Sequence, residues 1–253
     1  MATVKQYLVL LLALASFVYT IYVVTNLIQF LSSPRKTSKI YTWVFNLLDN
    51  KSRLEAAYGP IIFNSLYLIL FIFQHSFMKS GLVKKLLQNL GLSTAERAIY
   101  SLTSSGCLHY MIRNWVSSSS IIVWQFDVEE SKWKWWSFTL LHALSWMIIC
   151  GGSMIMDLPE LVGIKQPYYD MKSYAQPLAY KSFELRHLFN HVRHPSFVGF
   201  SVILWFNNLM TLDRLLLAVM LTSYMYFGWS SDHSDLIYQK CQLQRKKEEL
   251  KSQ

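Results

Sequence analysis

The chain has 253 residues, 53% of them hydrophobic and 15% aromatic, with only 15% charged and a formal net charge of +9. A soluble domain carries about a quarter charged residues and a disordered chain is far less apolar, so the composition excludes disorder and argues against a soluble enzyme. The apolar residues fall in blocks with the charges between them, which is the pattern of an integral membrane protein.

The first apolar run, 7–31, carries no charge and is long enough to cross a hydrocarbon core of about 30 Å. Ala13-Leu14-Ala15 resembles a signal-peptide cleavage site, but the run continues well past it, so an uncleaved anchor is expected. Segment 32–58 holds Pro34, Arg35 and Lys36, then an apolar patch from Tyr41 to Leu48 that suits the membrane surface. Further spans are expected at 59–77, 98–115 and 135–156, the one at 98–115 being the weakest because it contains Ser, His109 and Arg113. The last two runs, 197–212 and 215–229, are divided by Asp213 and Arg214, and Thr211 and Asp213 supply helix-start chemistry there. A tight helical hairpin is the expected form. The fold class is therefore all-α: one polytopic membrane bundle of about six transmembrane helices spanning residues 1–253 as a single domain.

An even number of spans puts both termini on one side. The larger share of the 24 Lys and Arg residues falls in the segments that share a side with the termini, so the positive-inside rule expects inside termini. The basic excess forms no stripe interleaved with aromatic residues; it reads as topogenic charge and as contact to anionic headgroups, with no direct nucleic-acid binding expected. Cys107, Cys150 and Cys241 show no CxxC or Cys/His spacing, so neither a disulfide framework nor a zinc finger is indicated. The longest connection, 157–196, is rich in Tyr, His and charge, and a long loop is more often functional than idle. The tail from Ser230 ends in a charged stretch that reads as a solvated helix end.

Ionisable residues inside spans are expensive and mark candidate sites. Here these are His75, His109, Arg113 and His142. Each imidazole can be a neutral ring hydrogen-bonded to a neighbouring helix. The sharper alternative is a metal or haem ligand set of His75, His109 and His142, since imidazole is the commonest nitrogen donor. The densest polar constellation runs from Arg186 to Pro195; His187 and His191 are four apart and share a helical face. Pro195 sets a helix starting near Ser196, so Arg193 and His194 stand beside a helix amino terminus at the membrane boundary. That position suits either an anionic ligand or lipid headgroups. Asp232 and Asp235 follow the last span on the same side.

Arg193-His194-Pro195-Ser196-Phe197-Val198-Gly199 resembles the Arg-His-Pro-x-Tyr-x-Gly signature of the isoprenylcysteine carboxyl methyltransferases, with Asp232 and Asp235 where that family has Glu and Phe197 where it has Tyr. This resemblance implies an S-adenosylmethionine-dependent methyltransferase acting on a membrane-embedded substrate, with Arg193, His194, Asp232 and Asp235 as cofactor-binding residues. A wider resemblance covers nearly the whole chain. Gln74-His75-Ser76-Phe77-Met78, Gly163-Ile164-Lys165-Gln166-Pro167-Tyr168-Tyr169, Asp213-Arg214-Leu215-Leu216-Leu217-Ala218 and Gln242-Leu243-Gln244-Arg245-Lys246 are similar, in order and spacing, to segments of the nurim family. The His-Ser pair and the His-Pro helix are also similar to NnrU-type membrane proteins. The nurim resemblance implies a six-span resident of the inner nuclear membrane, structural or lipid-interacting, with no demonstrated catalysis and no specified cofactor. Its partners would be the bilayer and nuclear-envelope proteins met through the helices, and the endoplasmic reticulum is the alternative location.

Overall fold

The computed structural model describes residues 3–36, 42–43, 46, 51–118, 121–181, 196–228, 237, 241, 244 and 248. Helix α1, Val4–Ser32, begins at a capping box in which the Thr3 hydroxyl accepts from the Gln6 amide and the Gln6 side chain accepts from the Thr3 amide. Its 29 residues rise about 43 Å. The side it buries is narrow and holds small residues, Ala13 and Ser16 among them, while Leu8, Leu11, Val18 and Ile21 point outward. Water would penalise that arrangement, whereas lipid is as apolar as leucine and exerts no such penalty.

Helix α2, Lys51–Phe77, shows the same outward apolar face in Ile62, Phe63, Leu66, Ile69 and Phe73. After a short turn comes α3, Gly81–Asn89, capped by the Ser80 hydroxyl. It buries Val83 and Leu87 and leaves Leu82, Leu86 and Leu90 exposed. A turn of 3₁₀ helix, Ser93–Ala95, leads into α4, Glu96–Arg113, and α5 follows at Lys132–Ile155. Among the described residues three helices are long and apolar enough to cross a membrane: α1, Leu54–Phe77 of α2, and Lys132–Met154 of α5.

Helix α4 is more polar because it matches polar groups on two neighbours. The Ser16 hydroxyl donates to the Ala98 carbonyl at 2.9 Å, and the Thr20 and Ser105 hydroxyls are 3.0 Å apart. On its other side the Gln74 amide donates to the Thr103 hydroxyl at 2.9 Å. The order of these contacts fixes direction. Residues 16, 20 and 30 of α1 meet 98, 105 and 115, so α1 and α4 run parallel. Residues 64 and 74 of α2 meet 116 and 103, so α2 runs against them.

The carboxy-terminal part departs from the expected hairpin. Helix α8, Phe197–Trp205, has only nine residues, about 13 Å, and is followed by a strand, Leu209–Thr211. Asp213 and Arg214 lie in the first turn of the next helix, α9, Leu212–Gly228, not between two helices. Between α5 and α8 the short helices α6, Leu158–Leu161, and α7, Lys165–Met171, precede a 3₁₀ turn at Pro177–Tyr180. α8 runs antiparallel to α5, with Gly199 tight against Ser145 and Ile149 at one end and the Phe206 carbonyl at His142 at the other. A side chain at Gly199 would meet the Ser145 carbonyl at 2.8 Å, which explains the glycine.

The fold is all-α apart from a small sheet that hydropathy does not announce. β1, Thr42–Trp43, pairs in parallel with β2, Ile121–Gln125, and β2 pairs antiparallel with β3, Leu209–Thr211. Its signal is the β-branched pair Ile121-Ile122, both wholly buried. The sheet sits where α1, α4 and α8 end and where α9 begins. Leu31, Leu68, Met111, Trp146, Ile203 and Leu217, from six helices, meet in the core beneath it.

Candidate functional site

Two layers of polar residues lie inside this apolar shell. In the first, the three span histidines occupy separate places. The ring of His142, 3% exposed, has Nε2 at 2.9 Å from the Phe206 carbonyl and Nδ1 at 2.9 Å from the Ser32 hydroxyl. A carbonyl only accepts, so Nε2 carries the proton and Nδ1 accepts. The Trp146 indole donates to the same Ser32 oxygen at 2.8 Å. The result is a directed chain, Trp146 to Ser32 to His142 to Phe206, that ties the end of α1 to α5 and α8. His75 meets the Tyr100 hydroxyl at 2.6 Å through Nε2, beside the Tyr224 ring. His109 Nδ1 meets the Tyr19 hydroxyl at 2.9 Å. Arg113 ends α4, where a cation faces the carbonyl end of the helix dipole.

The structure does not bring the three histidines together. Among the described residues no group of three or more His, Cys, Asp or Glu stands where it could hold a metal. Each described imidazole is engaged with a neighbouring helix. The other candidates, Arg193, His194, Asp232 and Asp235, and the pair His187 and His191, lie outside the described residues.

The second layer, at the sheet end, centres on residues that the sequence marks as a break between apolar runs and a helix start. Asp213 is wholly buried; its Oδ2 accepts from the Trp115 indole at 2.8 Å and its Oδ1 from the Ser118 amide at 3.0 Å. Arg214, 3% exposed, donates through Nη2 to the Phe30 carbonyl at 2.8 Å, and its guanidinium carbon stands 3.8 Å from the centre of the Phe30 ring. Asn64 serves the exposed edge of the backbone beyond α4: its amide donates to the Val116 carbonyl at 2.7 Å and its oxygen accepts from the Val116 amide at 3.0 Å. Asn208 does the same for Arg35, at 2.7 and 3.0 Å. The Arg35 guanidinium itself is half-buried; burial pushes its pKa down and the nearby Asp213 carboxylate pushes it back up. The signal available in the sequence was the adjacency of two ionisable residues within an apolar stretch, a costly arrangement unless both are paired.

At the opposite end Asp157, at positive φ, pairs with Lys165 and, at 3.4 Å, with Lys181. Lys181 also pairs with the fully buried Glu160 at 2.8 Å. Burial would raise the Asp157 pKa, but hydrogen bonds and charges from Lys165 and Lys181 outweigh it and hold the carboxyl below its ordinary value. Gly163, at φ +87, packs on the start of α4, where a side chain would stand 2.4 Å from the Ala98 nitrogen. A cleft of about 440 Å³ opens nearby, lined by Lys84, Arg97, Gln166, Tyr169 and Tyr174 among others.

Outward apolar helices joined internally by hydrogen bonds define a multi-pass membrane protein. The chain is 61% identical over 252 residues to the Nurim homolog of Drosophila melanogaster, covering all of both chains. It is 37% identical over 186 residues to Nurim of Danio rerio, covering 72% of this chain and 66% of that one. With Nurim of Homo sapiens the identity is 34% over 192 residues, 74% of this chain and 72% of that one. No family model matches the chain, and no solved structure does. The chain belongs to the nurim family.

Proposed function

We propose that this protein is a multi-pass resident of the inner nuclear membrane, with both termini on the nucleoplasmic and cytoplasmic side, that acts within the plane of the membrane by packing or lipid contact. The observation that carries the reading is the distribution of polar groups. Polar side chains of the spans such as Ser16, Thr20, Gln74 and His142 hydrogen-bond to neighbouring helices, while the outward faces of α1, α2 and α5 are largely apolar and suited to lipid or to another apolar helix. Membership of the nurim family supports the location. A protein of this build is held in place by its helices, so deletion of residues 246–253 should leave a tagged chain at the nuclear rim. Spread of that truncated chain through the peripheral endoplasmic reticulum would make the tail an address and refute retention by the helices. The methyltransferase alternative rests on Arg193, His194, Asp232 and Asp235; saturable binding of S-adenosylmethionine to the purified chain, lost in Arg193→Ala, would replace the non-catalytic reading.

A further inference from the structure

Around Asp213 the polar groups do not balance. Arg214 is 3% exposed, and among the described residues its Nε and Nη1 have no hydrogen-bond partner. The hydroxyls of Ser118, 4% exposed, and of Thr211, wholly buried, also have none. Among the described residues the carboxylate at this place is Asp213, and it is already taken by the Trp115 indole and the Ser118 amide. Against it stand two guanidinium groups, Arg214 and the half-buried Arg35. Among the described residues these three charges sum to one excess positive at the amino terminus of α9, whose 17 residues add the positive end of a helix dipole. Buried donors normally find partners, and a buried guanidinium prefers a charge-assisted one. A site with spare donors from an arginine and two hydroxyls, one surplus cation and a helix amino terminus has the chemistry of an oxyanion receptor.

We propose that Arg214, Arg35, Ser118 and Thr211 form a site for one oxyanion of phosphate type, supplied by an anionic lipid headgroup or by free phosphate, at the sheet-capped end of the bundle. Arg35 is the outer lip, because its side chain is the more exposed of the two cations and its backbone is pinned by Asn208. Arg214 is the floor, fixed by the Phe30 carbonyl and ring. Asp213 orients the wall by holding Trp115 and Ser118 and leaves room for only one further negative charge.

The test is thermal unfolding of the purified full-length chain in neutral detergent at constant ionic strength. The probes are inorganic phosphate, a short-chain phosphatidic acid, and a short-chain phosphatidylcholine with chloride as the baseline. A probe at ten times its Kd should raise Tm by roughly 3–6 °C. A rise with both phosphate and phosphatidic acid assigns a free anion; a rise with phosphatidic acid alone assigns a headgroup. Arg35→Gln, on the lip, should fold normally and lose at least tenfold in affinity, and Arg214→Lys should lose the shift because a point charge does not replace the planar fork. No shift with either anion would overturn the proposal and leave buried water as the partner of these groups. A shift retained in full by Arg35→Gln would also overturn it. Neither outcome bears on where in the cell the protein resides.

Discussion

His142 shows how one residue carries a joint between helices. Its ring closes a four-membered relay whose direction is set by a carbonyl at one end and an indole N–H at the other. His142→Ala strands the Ser32 hydroxyl and the Phe206 carbonyl inside the bundle, a cost of about 2–3 kcal/mol. Unfolding in detergent should then show Tm lower by roughly 5–10 °C. Ser32→Ala should cost less, and the double variant less than the sum of the two, since both act on one relay. Strict additivity would mean that the relay is not a unit. Asp157 makes a prediction of a different kind. Its folded pKa lies below the ordinary carboxylate value, so its contribution is complete above that value and disappears as pH falls through the folded pKa. Lys165, raised chiefly by its hydrogen bond to Asp157, contributes fully below the ordinary lysine value and loses its share as pH rises through the folded one. Asp157→Asn should therefore lower stability near neutral pH and flatten the acid limb of a Tm-against-pH curve. An acid limb of unchanged steepness would remove Asp157 from that account.

At the level of elements, hydropathy made α1, α2 and α5 legible, because a continuous apolar run of sufficient length has few other readings. α4 was legible only in part: Ser105, Thr103 and His109 dilute its apolar signal, and their meaning depends on partners in α1 and α2. The sheet was not legible. Leu209-Met210-Thr211 continues the apolar run of α8, and only pairing with β2 distinguishes strand from helix there. The helix start at Thr211 and Asp213 is legible, but that Asp213 and Arg214 are both buried is not, because the two look like the divider between apolar runs. α3 is a case where the pattern predicts more than the packing. Val83 and Leu87 use up its inner face, yet Leu82, Leu86 and Leu90 form a second apolar stripe beside it. Because α3 follows directly on the end of a span, its outer stripe should lie in the acyl region, with Gln88 on the watery side. Leu86→Trp reconstituted in vesicles with brominated acyl chains should be quenched strongly relative to Gln88→Trp, in a background where the native Trp signal is subtracted. Equal quenching would place α3 away from the bilayer.

For the whole molecule the helix directions argue for a chain that passes back and forth: α1 and α4 point one way and α2 the other, and α8 opposes α5. With the charge bias of the connections this predicts a carboxyl-terminal tag open to antibody once both plasma membrane and nuclear interior are made accessible, while the lumen stays sealed. A tag reached only after the lumen is opened would reverse the orientation.

The sheet adds a constraint on how such a chain is built. β1 lies between α1 and α2, β2 between α4 and α5, and β3 between α8 and α9, so each strand comes from a different inter-helix connection. The middle strand, β2, emerges from the ribosome with one flank matched to β1 and its other flank without a mate until α8 and then β3 have been delivered. Membrane insertion proceeds from the amino terminus, so the cap cannot close early. Completion of the sheet thus marks the delivery of β3: a nascent chain, or one cut before Leu209, presents an open strand edge that the folded protein conceals, and cellular quality control has in that edge a physical feature by which to tell the two apart.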